Sequence, residues 1–258
     1  MIGPMLNRRR LAALIAATGG ATLGACDKIA DDDKVARGVG TAEVLTRTVQ
    51  RLILSPGQLA PEYRESEISK FFKPNGSTDP ESDAYVALRD AGFKDWRLEV
   101  TGLVEHPLSL SLDQLRAQPS RTQITRHDCV EGWSCIGKWK GARLGDLLTR
   151  AKLKPQAKYI VFHCADSLGD ADDGSEDYYE SIGLADAFHA QTILAYDMND
   201  QPLGVPHGAP IRLRVERHLG YKQAKYVMKV EAVASLDKLH GGYGGYWEDR
   251  GYEWYGGI

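Results

Sequence analysis

Short stretches with the patterns of β-strands recur along most of this chain, and small helical segments separate them. Residues 96–100 and 211–215 alternate apolar and polar side chains, which is typical of half-buried strands. Residues 159–162 form a nearly continuous apolar run, as in a buried strand. Further strands are predicted at residues 122–125, 192–196 and 226–233, and short helices at residues 112–117, 145–151 and 184–189. Ser111 can cap the first of these helices, and Asn199-Asp200 predicts a turn after the strand at residues 192–196. The pattern predicts an α+β fold with a mixed β-sheet rather than a doubly wound parallel sheet.

Composition excludes several classes of protein. The chain has 258 residues, of which 43% are hydrophobic and 26% are charged, so disorder of the whole chain is excluded. No apolar run reaches about 18 residues, which excludes a polytopic membrane protein. Lys and Arg number 32 against 35 Asp and Glu. Because this balance offers no basic excess, nucleic acid is not expected as a partner.

The first 26 residues have the features of an export signal. Arg8, Arg9 and Arg10 precede a short apolar segment, Leu11–Ala17, in the order expected of a secretory signal. The arginine pair resembles a twin-arginine signal. Residues 23–26, Leu-Gly-Ala-Cys, resemble a bacterial lipobox, in which Cys26 would become the lipidated N-terminus. Ordinary cleavage beside an incidental cysteine and a frayed N-terminal helix are the alternatives.

The residues around Cys129 are the densest in reactive side chains. Residues 126–141 place this thiol beside basic residues, acidic residues and two tryptophans. Cationic neighbours stabilise a thiolate, the form that nucleophiles and metal ligands require. Chemistry alone leaves three interpretations open: a structural role, such as a disulfide with Cys135; a zinc site; or one thiolate on a redox-active metal centre. The zinc site would use His127, Cys129 and Cys135 with His163 or Cys164. A cysteine protease is disfavoured, since no nucleophile signature accompanies Cys129.

Several spaced motifs resemble one enzyme family. Cys129-Val130-Glu131-x-Trp133-Ser134 resembles the molybdenum-ligand segment of the sulfite oxidase family of molybdopterin-dependent oxidoreductases. The likeness is greater to the bacterial exported branch that includes the periplasmic methionine sulfoxide reductase catalytic subunit. Further motifs in the family's order lie at residues 139–148, 178–182, 207–212 and 220–225, so the resemblance covers roughly residues 95–235.

The resemblance implies a set of site residues. Cys129 would be the molybdenum ligand, and Tyr178 and Arg126 would be catalytic residues beside it. Residues His127, His207, Arg212, Lys222 and Lys225 would bind the molybdenum-molybdopterin cofactor. The cofactor carries a phosphate, so cations and backbone donors are the groups that would hold it. Cys135 and Cys164 are expected to be structural or incidental.

The expected domain organisation follows from these features. Residues 1–26 form the twin-arginine-type signal with a lipobox, and residues 27–43 form a flexible acidic linker. Residues 44–240 form the molybdopterin-binding oxidoreductase domain, and residues 241–258 form a C-terminal extension rich in Gly and aromatic residues. The resemblance implies the sulfite-oxidase-type fold as a single catalytic domain, without the C-terminal immunoglobulin-like dimerisation domain of full-length sulfite oxidases.

The functional expectation is an exported molybdopterin-dependent oxidoreductase. It would transfer an oxygen atom to or from a small S-oxide, N-oxide or sulfite-like substrate, with reduction favoured over sulfite oxidation. No haem-attachment, flavin or nicotinamide motif is present, so a separate redox partner is expected, by resemblance a membrane haem cytochrome. A lipid at Cys26 would hold the protein at the periplasmic membrane surface. The alternative is a non-catalytic periplasmic lipoprotein, stabilised by zinc or a disulfide, that binds a ligand.

Overall fold

Ten strands and four α-helices make up the regular structure of the described residues. The computed structural model describes residues 57–169 and 176–258. The expected signal, lipobox and linker, and the expected start of the domain at residue 44, lie outside these ranges. Within them, no helix is both long enough and apolar enough to cross a bilayer.

The elements follow one another as short strands with small helices between them. In chain order they are α1 (Asp83–Asp90), β1 (Arg97–Gly102), β2 (Leu108–Ser111), α2 (Leu112–Arg116), β3 (Ser120–Asp128), β4 (Ser134–Arg143), α3 (Leu144–Ala151), β5 (Tyr159–Ser167), β6 (Asp177–Gly183), α4 (Leu184–Ala187), β7 (Ile193–Met198), β8 (Gln201–Pro202), β9 (Arg212–Arg214) and β10 (Val227–Val233). The predicted α+β class is confirmed.

The strands form two sheets. The first has the order β2-β1-β10-β5-β6, and its β1–β10 pair is parallel while its other pairs are antiparallel. The second has the order β3-β4-β7-β8, with β9 also paired to β7, and all of its pairs are antiparallel. The first sheet is therefore mixed, as the sequence pattern predicts. A bulge lets β4 approach β7 closely at Gly141, where a Cβ atom would lie 2.2 Å from the Leu194 carbonyl oxygen.

Local sequence signals explain where several elements begin and turn. The Ser111 hydroxyl accepts a hydrogen bond from the backbone N–H of Gln114 at 3.2 Å, which caps α2 as its sequence predicts. Asn199 and Asp200 both have positive φ angles, 51° and 63°, and they connect β7 to β8. Asn and Asp tolerate this conformation better than other side chains, so the predicted turn forms there.

Apolar residues from both sheets and the helices fill one large core, which includes Trp96, Phe162, Leu194 and Leu213. A smaller cluster around Trp139 and Phe72 packs beside the second sheet. Full burial of one such side chain contributes about 1.5–3 kcal/mol. Strand β9 departs from its sequence pattern, because Arg212 and Arg214 on its polar face are buried completely. Burial of two guanidinium groups is costly, and their role in the candidate site accounts for it.

Candidate active site

The loop between β3 and β4 positions Cys129. Strand β3 ends at Asp128, and β4 begins opposite it at Ser134. The Cys129 N–H donates to the Trp133 carbonyl oxygen at 3.0 Å, and the Gly132 N–H donates to the Cys129 carbonyl oxygen at 3.0 Å. Gly132 has a φ of 84°, which only glycine adopts easily. The loop is therefore a tight hairpin connection that presents the thiol at the end of a long two-stranded ladder.

A cavity of about 170 Å³ opens beside the Cys129 thiol. Its other described lining residues are Asn75, Gly76, Ser77, Val130, Glu131, Asp166, Leu168, Tyr178, Tyr221, Gln223, Lys225, Trp247 and Tyr252. Partial burial raises the pKa of the Cys129 thiol above its ordinary value. A bound metal reverses this preference, because coordination deprotonates a thiol.

The remaining described cysteines do not support the two structural alternatives. Cys129, Cys135 and Cys164 are all free thiols. Cys135 pairs across the ladder with His127, and its sulfur lies 3.7 Å from the Phe71 carbonyl oxygen. Among residues 57–169 and 176–258, no three His, Cys, Asp or Glu side chains come together to hold a metal ion. The disulfide between Cys129 and Cys135 and the zinc site are therefore not formed in this structure.

Arg212 is a buried cation without a counter-ion in the described part of the chain. Its guanidinium donates to the carbonyl oxygens of His207 at 3.1 Å and Gln223 at 3.2 Å, and to the Asn75 side-chain oxygen at 3.3 Å. Its Nε is buried without a partner. Burial, and then the charge of Arg214, lowers the pKa of Arg212 to about 9. An uncompensated buried charge is costly, so this arrangement favours an anionic ligand.

Lys225 is the second such cation. It is 4% exposed, and its Nζ donates to the carbonyl oxygens of Ser77 and Pro206, the latter at 3.0 Å. Burial, followed by the charge of Arg212, lowers the pKa of Lys225 to about 7. Gly208 allows this crowding, because a Cβ atom there would lie 2.9 Å from the Lys225 Cβ. No carboxylate within the described ranges forms an ion pair with Arg212 or Lys225 at 4.0 Å or less.

His127 is a buried, neutral histidine behind the thiol loop. Its Nδ1 lies 3.0 Å from Arg214 Nη1. Because a guanidinium can only donate, Nδ1 accepts and the ring proton resides on Nε2. Burial, followed by the charges of Arg214 and Arg212, holds the pKa of His127 well below its usual range. Arg214 is itself neutralised by Glu216 through two hydrogen bonds of 2.9 and 2.6 Å.

His207 lies in a short 3₁₀ helix, Val205–His207, that approaches the same cation pair. Its Nδ1 is buried without a partner among the described residues. Burial, then Arg212 and Lys225, lowers the pKa of His207 to about 4, so the ring is neutral near pH 7. The structure thus brings His127, His207, Arg212 and Lys225 close together.

Tyr178 lies on β6 and lines the cavity that contains Cys129. Its hydroxyl donates to the Tyr221 carbonyl oxygen at 2.5 Å. Burial, and then the nearby carboxyl of Glu180, raises the pKa of Tyr178 well above its ordinary value. The phenol therefore remains a protonated hydrogen-bond donor across the neutral pH range.

Two predicted site residues, Lys222 and Arg126, do not line the cavity that contains Cys129. Lys222 is fully buried, and its Nζ donates to carboxylate oxygens of both Glu180 and Glu248 at 2.5 Å. Burial alone would lower the pKa of Lys222, but these two carboxylates raise it above its ordinary value. Its charge is already compensated, so the structure gives no support to a role in holding an anionic cofactor.

Arg126 points away from the Cys129 cavity because neighbouring residues of β3 face opposite sides of the sheet. It is half-exposed and donates to the Asp128 carboxylate at 2.9 Å. Together with Arg217 and Tyr63 it lines a different surface cavity. The structure therefore separates Arg126 from the other predicted catalytic residues.

The structure adds residues that no sequence motif indicated. Asn75 and Ser77 precede α1 and contact Arg212, Lys225 and Asp166. Asp166 accepts a hydrogen bond from Ser77 at 2.7 Å, and its other oxygen is buried without a partner. Burial raises the pKa of Asp166 to about 6. Only long-range contacts bring these loop residues to the cavity, so no local sequence pattern could have identified them.

These groups fit a phosphate-bearing pterin cofactor. Arg212 and Lys225 supply two buried cations without ion pairs, and Arg212 Nε is an unused donor. The unpartnered oxygen of Asp166 is an acceptor for N–H groups such as those of a pterin ring. One partly buried thiol, Cys129, opens onto the same cavity and can supply a soft metal ligand. The fold and site together define an oxidoreductase that carries molybdopterin.

Comparisons with known proteins agree with this class. Residues 85–239 match the family described as the oxidoreductase molybdopterin binding domain. The chain belongs to this family, the sulfite oxidase family of molybdopterin-dependent enzymes, and the predicted cofactor and enzyme class are confirmed. The non-catalytic lipoprotein alternative is not supported.

Two similar proteins carry the names of methionine sulfoxide reductase subunits. The Azospira oryzae protein provisionally named protein-methionine-sulfoxide reductase subunit YedZ1 is 38% identical over 93% of this chain and 83% of its own. The protein-methionine-sulfoxide reductase catalytic subunit MsrP of Xanthomonas campestris is 28% identical over 89% of this chain and 71% of its own. The solved sulfane dehydrogenase SoxCD of Paracoccus pantotrophus aligns with a TM-score of 0.49 and 24% identity, covering 55% of this chain and 39% of that one.

Proposed function

We propose that this oxidoreductase reduces S-oxides, removing the oxygen atom as water while a thioether is released. The overall reaction is R₂SO + 2e⁻ + 2H⁺ → R₂S + H₂O. The bound molybdenum cofactor supplies the two-electron redox chemistry, and the protein supplies its binding and surroundings. The observation that carries the proposal is the Cys129 thiol opening onto a largely apolar cavity beside two buried, unpaired cations. The names of the reductase relatives support the direction of reaction.

The cofactor would be held by residues of the second sheet and of neighbouring loops. Cys129 would provide the protein thiolate to molybdenum. Arg212 and Lys225 would bind the phosphate, because their charges lack counter-ions in the described part of the protein and a phosphate would compensate both. His127 and His207 would be neutral neighbours that donate or accept hydrogen bonds.

Tyr178 would donate a hydrogen bond to the oxygen of the bound S-oxide. Its phenol stays protonated and lines the cavity beside the thiol. The hydroxyl donates to the Tyr221 carbonyl oxygen, which keeps this buried donor satisfied. Exchange of that partner for a polarised S=O oxygen would stabilise developing negative charge.

The protein would act outside the cytoplasm with a separate electron donor. The twin-arginine-like sequence and the lipobox-like residues 23–26 support export and anchoring at Cys26. Several acyl chains hold a protein firmly to a membrane, whereas a single chain binds marginally. This location would place the site beside a membrane haem cytochrome as electron donor.

The test compares Cys129→Ser with Cys135→Ser. We expect wild type to contain about one molybdenum per chain and to reduce sulfoxides with reduced viologen. Cys129→Ser should lose turnover. Cys135→Ser should keep most of it, because the Cys135 thiol contacts the Phe71 carbonyl oxygen and does not line the cavity. Full activity of Cys129→Ser would refute the ligand assignment. Rapid sulfite oxidation with ferricyanide and negligible sulfoxide reduction would reverse the direction.

A further inference from the structure

Residues 241–258, the C-terminal segment, pack against the catalytic domain at several points. The Glu248 carboxylate accepts from Lys222, and the Trp254 indole N–H donates to Ser181 at 2.8 Å. The Tyr179 hydroxyl donates to Asp249 at 2.5 Å. These contacts join the segment to β6 and to the 3₁₀ helix Gly220–Lys222, both of which border the Cys129 cavity.

Two side chains of this segment form part of the cavity wall. Trp247 and Tyr252 both line the cavity, and their ring centroids are 5.3 Å apart. The Tyr252 ring also meets Tyr221 edge-on at 5.3 Å, and Trp247 contacts Tyr246, which stacks on Tyr178 at 5.8 Å. The segment therefore completes an aromatic wall that extends from the expected catalytic phenol to the cavity mouth.

Two further apolar side chains, Val130 and Leu168, lie in the cavity lining. Val130, beside Cys129, is 45% exposed, and Tyr252 is 40% exposed. Exposed apolar side chains grouped at a cavity mouth are typical of a ligand-contacting surface. Aromatic faces and edges also make favourable contacts with thioether sulfur.

The charges of the cavity disfavour an anionic substrate. The described lining contains two carboxyl groups, Glu131 and Asp166, and one ammonium group, Lys225. In the proposed function the Lys225 ammonium binds the cofactor phosphate. The described lining then offers a sulfite anion no second Lys or Arg, whereas a neutral S-oxide needs no counter-charge.

We propose that Trp247 and Tyr252 determine substrate specificity by binding the apolar substituent of a neutral sulfoxide. This inference rests on the proposed S-oxide reduction and assigns the substrate-contacting role to the C-terminal segment. Lys222 and Glu248 act as positioning residues, since their ion pair holds the residue next to Trp247.

The experiment uses the molybdenum-loaded protein and two substrates that differ only in their apolar group. Reduction of dimethyl sulfoxide and of methyl phenyl sulfoxide is followed with reduced viologen in Trp247→Ala and Tyr252→Ala. The control is Tyr243→Ala, which removes a 69% exposed aromatic residue of the same segment that does not line the cavity. Molybdenum content and melting temperature are recorded for each variant.

Loss of the aromatic wall should lower the activity mainly on the larger substrate, methyl phenyl sulfoxide. We expect kcat/KM for methyl phenyl sulfoxide to fall roughly tenfold, mainly through KM, while dimethyl sulfoxide changes by less than about threefold. Tyr243→Ala should match wild type on both. Equal losses on both substrates, or the same loss in Tyr243→Ala, would overturn the assignment. Because Tyr252 is partly exposed, its variant remains informative even if Trp247→Ala does not fold.

A binding measurement separates this inference from the proposed reaction. Calorimetry with methyl phenyl sulfide, the thioether product, reports the wall without turnover. Binding to wild type that weakens roughly tenfold in Trp247→Ala supports the wall even if neither sulfoxide is reduced, which would refute only the proposed function. Unchanged binding in both wall variants would refute the wall alone.

Discussion

Arg212 and Lys225 show how single residues adapt this fold to a cofactor. Each is a buried cation that donates to carbonyl oxygens and lacks an ion pair within the described residues. Arg214, two residues after Arg212 on β9, is instead neutralised by Glu216. Because Arg214 is paired whereas Arg212 and Lys225 are not, the latter two residues indicate a binding site for an external anion.

Removal of the Arg212 charge should reduce cofactor loading. We expect Arg212→Met to lower the molybdopterin content at least roughly tenfold, since one charge-assisted contact contributes about 1.5–3 kcal/mol. The matched variant Arg126→Met removes a half-exposed guanidinium outside the cavity and should retain its cofactor. The measurement is molybdenum and pterin content of purified protein. Equal cofactor loss in both variants would contradict the placement of the phosphate site.

The ammonium of Lys225 should make the stability of cofactor-free protein depend on pH. Its pKa in the folded state, about 7, lies below its ordinary 10.5. Between these values the unfolded chain binds more protons, so the free energy of unfolding rises with pH. From pH 7 to 9, wild type should gain about 2 kcal/mol relative to Lys225→Met, as measured by urea unfolding. A difference that shrinks as the pH rises would contradict this linkage.

At the scale of elements, a buried ion cluster joins three separate parts of the chain. Glu180 lies on β6, Lys222 on a 3₁₀ helix, and Glu248 in the C-terminal segment. Burial, and then repulsion from Glu248, raises the pKa of Glu180 well above its ordinary value. Such a cluster is costly to leave incomplete and thereby fixes the position of the segment.

Breaking this cluster should destabilise the protein. Lys222→Met leaves two buried carboxyl groups without their cation, and we expect a loss of about 3–5 kcal/mol in the free energy of unfolding. The control Lys229→Met breaks a partly exposed pair with Glu231 at 3.1 Å and should cost about 0–1 kcal/mol. Chemical denaturation at pH 7 measures both. Similar small losses would show that the cluster does not hold the segment in place.

At the scale of the whole molecule, the oxidoreductase domain and the proposed export signal of residues 1–26 would have separate tasks. The domain is the family's molybdopterin-binding unit. The arginine pair resembles a twin-arginine signal, and such a route would be compatible with folding around a cofactor before export. Attachment to a membrane would restrict the domain to the surface where an electron donor resides.

The proposed lipid anchor at Cys26 has its own test. Wild type should fractionate with membranes and incorporate labelled fatty acid, and Cys26→Ala should lose both properties while the domain stays active. Cys135→Ser serves as a control for loss of an unrelated cysteine. Unlabelled wild type in the soluble fraction would indicate ordinary cleavage instead of lipidation. Activity assays on both fractions distinguish this result from a folding defect.

Local sequence patterns were sufficient for the fold class and for most strands. Alternation predicts β1, a capping serine predicts α2, and an Asn-Asp pair predicts the β7–β8 turn. These signals work because each depends on neighbouring residues. The motif around Cys129 likewise identifies the family, since the loop residues that present the thiol are contiguous.

Long-range packing decided the features that depend on which groups meet. In sequence, Arg212, Lys222 and Lys225 are three similar cations, and the alternation around Arg212 suggests a solvated strand face. In the folded chain Arg212 and Lys225 are buried without counter-ions among residues 57–169 and 176–258, while Lys222 meets Glu180 and Glu248. The sequence by itself determined the residue types and the family. Tertiary structure alone decided which cations are compensated and which distant side chains enclose Cys129, because charge pairing and burial depend on contacts between residues far apart in the chain.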